Sequence, residues 1–290
     1  MDSRKLFKHI MSLLLFGTNG VIASYISLTS SEIVLTRTFI GSLFLLAIFL
    51  IKRGKVTFYK DKMQALFVLI SGVAMGMSWM LLYEAYELTG VSIASLLYYC
   101  GPVVVMILSP LLFKEKLTKI KIIGFGMVVI GIICLNSGIT DSLNEKGLVV
   151  GLLSAVMYAV MVIFNKKAKN ITGMENTIIQ LLVSFLTVAV FVIVKQGAAI
   201  NILPSDVIPI LILGVINTGI GCYLYFSSIG YLPVQTVSIC GYLEPLSAVL
   251  LSAVILGETM HIVQIIGAVL ILCGAAGSEL IKQEKTKLNR

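Results

Sequence analysis

Apolar stretches of roughly the 20 residues that carry a helix across a bilayer core succeed one another along the chain. They fall at 10–28, 33–51, 63–86, 92–113, 121–139, 147–165, 175–194, 207–229, 233–256 and 262–281. Polar residues gather in the short gaps between them, and no gap is long enough for a soluble domain. The pattern predicts an all-α integral membrane protein of ten transmembrane helices. Composition agrees: of 290 residues, 58% are hydrophobic and only 12% charged.

Charge adds an orientation. With the N-terminus in the cytoplasm, the inside segments hold Arg4, Lys5 and Lys8, then Lys52, Arg53, Lys55, Lys60 and Lys62, then Lys114, Lys116, Lys119 and Lys121. They also hold Lys166, Lys167 and Lys169, and the tail Lys282, Lys285, Lys287 and Arg290, making 19 of 22 basic residues. Only Lys146 and Lys195 fall outside, and Arg37 lies within a span. Short cytoplasmic loops collect Lys and Arg in this way. The net charge of +8 therefore reports topology and anionic lipid headgroups, not a nucleic acid. Both termini are expected in the cytoplasm and the protein in the plasma (inner) membrane. A basic N-terminus before an apolar run also fits a signal peptide. However, Gly17-Thr18-Asn19-Gly20 interrupts the run, and its loss would spoil the charge parity of all that follows.

Shifted by 143 residues, the chain aligns with itself without a gap. Glu32 falls on Glu175, Lys52 on Lys195, Gly54 on Gly197 and Gly76 on Gly219. Ser95 falls on Ser238, Pro102 on Pro245, Ser109 on Ser252, Glu115 on Glu258, Gly124 on Gly267 and Gly131 on Gly274. Apolar matches between two spans carry little weight; matches at Pro, Glu, Lys and Gly in one register carry much. The chain reads as a first five-helix repeat, residues 1–142, and a second, residues 143–290. Five is odd, so the second copy enters the membrane upside down. Inverted repeats build carriers that hold substrate near the midplane between the halves.

These features resemble the drug/metabolite transporter superfamily and, within it, the EamA-type ten-helix carriers. The resemblance spans essentially the whole chain. It rests on Arg37, Gly101-Pro102, Leu112-Phe113-Lys114-Glu115, Leu243-Glu244-Pro245 and Leu256-Gly257-Glu258. It implies secondary transport, often export, of small organic solutes such as amino acids or other metabolites. One departure is plain: members often carry Trp near the middle of span 1, where this chain has Phe16-Gly17.

Ionisable groups at membrane depth are functional candidates by default. Glu244 sits near the middle of span 9, beside Pro245, which lacks an N–H and clashes with the preceding turn. A carboxylate beside a bent helix suits an amine or a proton, and equally well serves as a hydrogen-bonded brace. Arg37, in the outer third of span 2, has the depth of Glu84 and Glu87 and is expected to form a structural or gating ion pair with one of them. Binding of a substrate carboxylate is its other reading. Trp79, Tyr83 and Tyr86 share one helix face, while Tyr98, Tyr99 and Tyr242 fall at mid-depth, where a hydroxyl needs a partner. Cavity lining and helix packing both remain open for them. Asn19 and Asn217 are candidate polar lining, although Asn217 with Gly214 and Gly221 also suits close helix packing. Pro102 and Pro245 are candidate hinges.

Absences narrow the chemistry. No Gly-Lys-Ser/Thr phosphate loop is present, and His9 and His261 lie at predicted membrane edges, away from any nucleophile. All five cysteines fall inside spans and read as packing residues. No cofactor, metal or enzymatic activity is expected. The expected partners are a small-molecule substrate and membrane lipids, with a proton, another ion or the substrate's own gradient as energy source. The alternative reading, an integral membrane enzyme or lipid flippase, would call for clustered His or Asp at the surface or a polar lipid-facing flank. Oligomeric state is not readable from the chain.

Overall fold

Where no water reaches the backbone, a helix satisfies each N–H and C=O within one segment, and the apolar stretches obey this. The computed structural model describes residues 3–54, 56–89, 91–135, 144–197, 200–255 and 261–288, and among them there is no strand. The helices are α1 (Ser3–Ala23), α2 (Ser30–Ile51), α3 (Lys62–Thr89), α4 in two pieces (Val91–Tyr98 and Cys100–Phe113) and α5 (Lys119–Leu135). They continue with α6 (Glu145–Lys167), α7 (Gly173–Gln196), α8 (Pro204–Ile229), α9 (Val234–Ile255) and α10 (Ile262–Leu288). Among the described residues, seven of these (α1, α2, α3, α6, α7, α8 and α9) are long and apolar enough to cross a membrane. The apolar parts of α4 and α10, Cys100–Phe113 and Ile262–Ala275, are shorter. The chain is a multi-pass, all-helical membrane protein. Glu258, with Leu256 and Gly257, lies outside the described residues.

Local chemistry fixes several helix starts. At α2 the Thr29 hydroxyl accepts from the Glu32 N–H, and the Glu32 carboxylate accepts from the Thr29 N–H at 2.8 Å. This capping box satisfies two of the donors a helix start leaves unpaired. At α6, Asn144 accepts from the Gly147 N–H at 3.3 Å.

Packing repeats under the 143-residue shift. Helix α3 lies on α6 and α7, as α8 lies on α1 and α2; α4 lies on α6, as α9 lies on α1. Three pairs face their own counterparts: α2 with α7, α4 with α9, and α5 with α10. Glycines make these contacts close, since lipid gives helices no hydrophobic reason to associate and packing must do it. A Cβ on Gly76 would stand 2.8 Å from Thr187 Cβ, and one on its counterpart Gly219 would stand 2.8 Å from Phe44, the counterpart of Thr187. A Cβ on Gly131 would meet the Gly267 carbonyl at 2.7 Å, and one on Gly274 the Gly124 carbonyl at 2.5 Å.

Helices α4 and α9 break at matching places. Pro102 clashes with the carbonyl four residues back and removes a donor; α4 stops at Tyr98 and restarts at Cys100, with Tyr99 at ψ −2°. Pro245 does the same to α9, which stops at Gly241 and restarts at Leu243, with Tyr242 at ψ −5°. Two breaks lack counterparts. Helix α1 is interrupted at Thr18, and α8 widens into a π-helix over Ile212–Gly221, a form that recurs at functional sites.

Candidate functional site

Helices α1, α2, α3, α4, α6, α8 and α9 surround a cavity of about 390 Å³, within the range that small-molecule sites occupy. Successive helices run in opposite directions, so Ala23, Ser30 and Tyr86 mark the end of the bundle away from Ser3. The lining begins with these residues and descends to Met161 and Tyr225. The cavity therefore reaches toward that end and is floored at the other.

Its floor is aromatic. The Tyr158 and Tyr225 hydroxyls meet at 3.5 Å. Beneath them the His9 ring packs on Tyr225 at 5.2 Å, and Phe16 packs on Tyr225 from the side at 6.0 Å. His9 is fully buried. Below the floor, polar side chains close helix ends. The Lys166 ammonium donates to the carbonyls of Ile229, Gly230 and Leu232 at the end of α8. Glu115 accepts from the Val234 and Gln235 N–H groups at the start of α9, at 2.8 and 3.2 Å. Each carries the sign that a helix end favours.

Two charges enter the cavity, from different halves. Arg37 on α2 is 7% exposed and its guanidinium lies 4.5 Å from the centre of the Trp79 ring, a cation–π contact. Its Nε has no hydrogen-bond partner. Glu244 on α9 is half-buried beside the break at Tyr242, and no hydrogen bond or ion pair reaches its carboxylate among the described residues. Trp79, Tyr83, Tyr98, Tyr99, Asn19 and Asn217 also line the cavity. Tyr83 and Tyr86 stand edge to face at 5.2 Å, as do Tyr98 and Tyr158 at 5.4 Å.

Two expectations need correction in their geometry. Arg37 pairs with neither Glu84 nor Glu87; Lys195, from the end of α7, contacts both carboxylates. Those two residues face the rim, while Arg37 turns inward under Trp79. Tyr242 does not line the cavity. It is fully buried against Met106, Val128 and Leu246, and its hydroxyl donates to the Tyr99 carbonyl at 2.8 Å. The break before Pro245 turns it toward α4 and α5 and gives its hydroxyl a backbone partner. Asn217 lines the wall, yet its amide is already occupied by the Leu15 carbonyl, Thr18 Oγ1 and Asn19 Oδ1 at 2.9, 2.7 and 2.9 Å. It holds the break in α1 open. Pro102 and Pro245 lie at helix breaks, and the interruption itself falls three residues before each. Tyr158, Ser78 and Met75 line the cavity as well; the one signal that finds Tyr158 is a hydroxyl at mid-depth in span 6.

No group of His, Cys, Asp and Glu able to hold a metal occurs among the described residues.

Comparison with known proteins places this geometry. The EamA-like transporter family matches residues 5–137 and again residues 145–279. An uncharacterized transporter of Bacillus subtilis is 28% identical over 297 residues, covering 99% of this chain and 93% of its own. A probable amino-acid metabolite efflux pump of Salmonella typhimurium is 27% identical over 197 residues, covering 63% of this chain and 65% of its own. A solved crystal structure shares the fold at a TM-score of 0.83 and 18% identity, covering 97% of this chain and 99% of that one.

Proposed function

The chain belongs to the EamA-like transporter family, and from that premise we propose that it is a gradient-driven secondary transporter of small organic metabolites. The reading includes ten spans as a five-plus-five inverted repeat, residues 1–142 and 143–290, in the plasma membrane. Both termini are cytoplasmic by the placement of basic residues. On that orientation the cavity faces outward, floored by Tyr158 and Tyr225 on the cytoplasmic side.

The observation that carries the proposal is the cavity itself. It lies between two halves that pack by the same contacts, and Arg37 and Glu244 both enter it, with no ion pair to either among the described residues. A pseudo-symmetric pair of halves offers two equivalent ways to pack, one open to each side, and a site between them is reached alternately. Export, and substrates such as amino acids or amines, is the reading favoured by the name of the Salmonella relative and by an aromatic-walled cavity that both Arg37 and Glu244 enter.

Solute uptake into liposomes containing the purified protein tests this. A panel of amino acids, amines and nucleosides should yield saturable uptake of at least one class. Hydrolysis or lipid translocation without solute uptake would overturn the reading in favour of an enzyme or flippase. Orientation is tested separately. A Cys at Ser142, a position outside the described residues, should react with an impermeant thiol reagent from outside, and one at Lys167 should not.

A further inference from the structure

We propose that the first turn of α9 is the release point of a lock. Ser109, Glu115 and Lys121 of the first half hold this turn of the second half, at the end of the bundle opposite the cavity mouth, and that end opens only when they let go. The inference rests on the alternating-access reading of the protein and adds what holds one of its two states.

Side chains from three places in the first half converge on this one turn. Glu115, in the loop after α4, accepts from the Val234 and Gln235 N–H groups at 2.8 and 3.2 Å. Lys121, on α5, donates to Gln235 Oε1 at 2.8 Å, and Gln235 Nε2 donates to Ser109 Oγ, on α4, at 3.2 Å. Gln235, Lys121 and Ser109 are 1%, 4% and 0% exposed. A buried amide must find an acceptor for its N–H groups and a donor for its oxygen, and Gln235 finds both across the divide. Lys166 differs. It binds the end of α8, and its own helix α6 belongs to the same half, so those bonds need not break when the halves part.

The chemistry suits a reversible lock. Bonds to charged groups are strong where water is excluded, yet every group in this set can be satisfied by water once the end opens. The turn lies beyond the Tyr158–Tyr225 floor, on the side that must open in the second state. The set is not copied at the mouth. Under the 143-residue shift Glu115 answers to Glu258, outside the described residues, whereas Lys121 and Gln235 answer to Gln264 and Ser92, neither of which carries a charge. The closed end thus has a charge-assisted side-chain bond that the matching positions at the mouth cannot make. This biases the resting protein toward the state with the mouth open.

Hydrogen–deuterium exchange of the purified full chain in nanodiscs, read by mass spectrometry, reports both ends at once. E115A should speed exchange at Val234 and Gln235 about tenfold. By shifting the protein toward its other state, it should also slow exchange about twofold at residues 24–33, beside the cavity mouth. Q235L, which removes the side-chain bonds, should change both ends in the same directions. N144A, which removes a cap of α6 outside the lock, should speed exchange at the start of α6 alone. If E115A does not fold, E115Q keeps an acceptor without the charge and should move both ends the same way by less. Faster exchange confined to α9 in these variants identifies a helix cap and overturns the lock, as does no change at either end. The wild-type protein is scored separately for solute uptake in liposomes. If it carries a solute while the variants leave the mouth unmoved, the lock falls and the transporter reading stands. If both ends respond while nothing is carried, the lock stands and the transporter reading falls. If neither occurs, both fall.

Discussion

Gly76 presses α3 on Thr187 of α7, and Gly219, 143 residues later, presses α8 on Phe44 of α2 in the same way. Arg37 faces the cavity, whereas Gln180, its counterpart under the same shift, is fully buried and donates to Ser71 Oγ at 2.6 Å. The two halves thus repeat where helices touch and differ where the cavity is. The counterpart of Glu244 is Gly101, which packs on Tyr158. The counterparts of Trp79, Tyr83, Tyr98 and Asn19 are Cys222, Phe226, Gly241 and Val162. Even Glu32 and Glu175 have parted: one closes a capping box, while the other accepts from Thr57 and Phe58 in the loop after α2. A duplicated frame needs its close contacts in both copies, because each contact lies on an interface that the shift maps onto another. A ligand without two-fold symmetry needs its contacts once.

The sharpest way to break this comparison pairs Glu244 with Gly101. Glu244→Gln should lower transport at least tenfold, about 1.4 kcal/mol of lost transition-state stabilisation, without moving the melting temperature in detergent. Gly101→Ala places a Cβ 2.7 Å from the Tyr158 ring and should destabilise by about 1–3 kcal/mol. Equal effects on rate and stability at both positions would erase the distinction. Next, Gly131→Ala and Gly274→Ala each drive a methyl onto a carbonyl of the facing helix. Each should cost about 1–3 kcal/mol in detergent melts, and by similar amounts. A large cost at one and none at the other would show that the frame is not shared. Tyr242→Phe removes one neutral hydrogen bond to the Tyr99 carbonyl and should cost about 0.5–1.5 kcal/mol. Smallest of all, Lys195→Ala breaks a rim ion pair to Glu84 and Glu87. Its side chains are 31%, 37% and 56% exposed, so the change should be under about 1 kcal/mol, measured in the same melts.

Much of the frame was legible in the chain because membranes write simple rules. Long apolar runs, basic loops and a matched Pro102 and Pro245 need no tertiary knowledge to read. Depth was legible too, and it drew attention to Arg37, Glu244, Trp79, Tyr83 and Tyr98 together. Rotation was not. Whether Arg37 reaches Glu84 depends on which way α2 turns and on a competitor, Lys195, that arrives from α7. Tyr242 has the depth of Tyr98 but points away, because the break before Pro245 rotates it toward α4. Lys121, read as a loop charge, is 4% exposed and donates to Gln235 Oε1 at 2.8 Å. Tyr158 carries no spacing signal, being a single hydroxyl in an apolar run.

The bond from Tyr242 to the Tyr99 carbonyl joins two helices at their weakest points. The two breaks are thus cross-linked by a contact from a side chain to a main-chain carbonyl, so a substitution at Tyr242 is felt in the backbone of α4 as well as in α9.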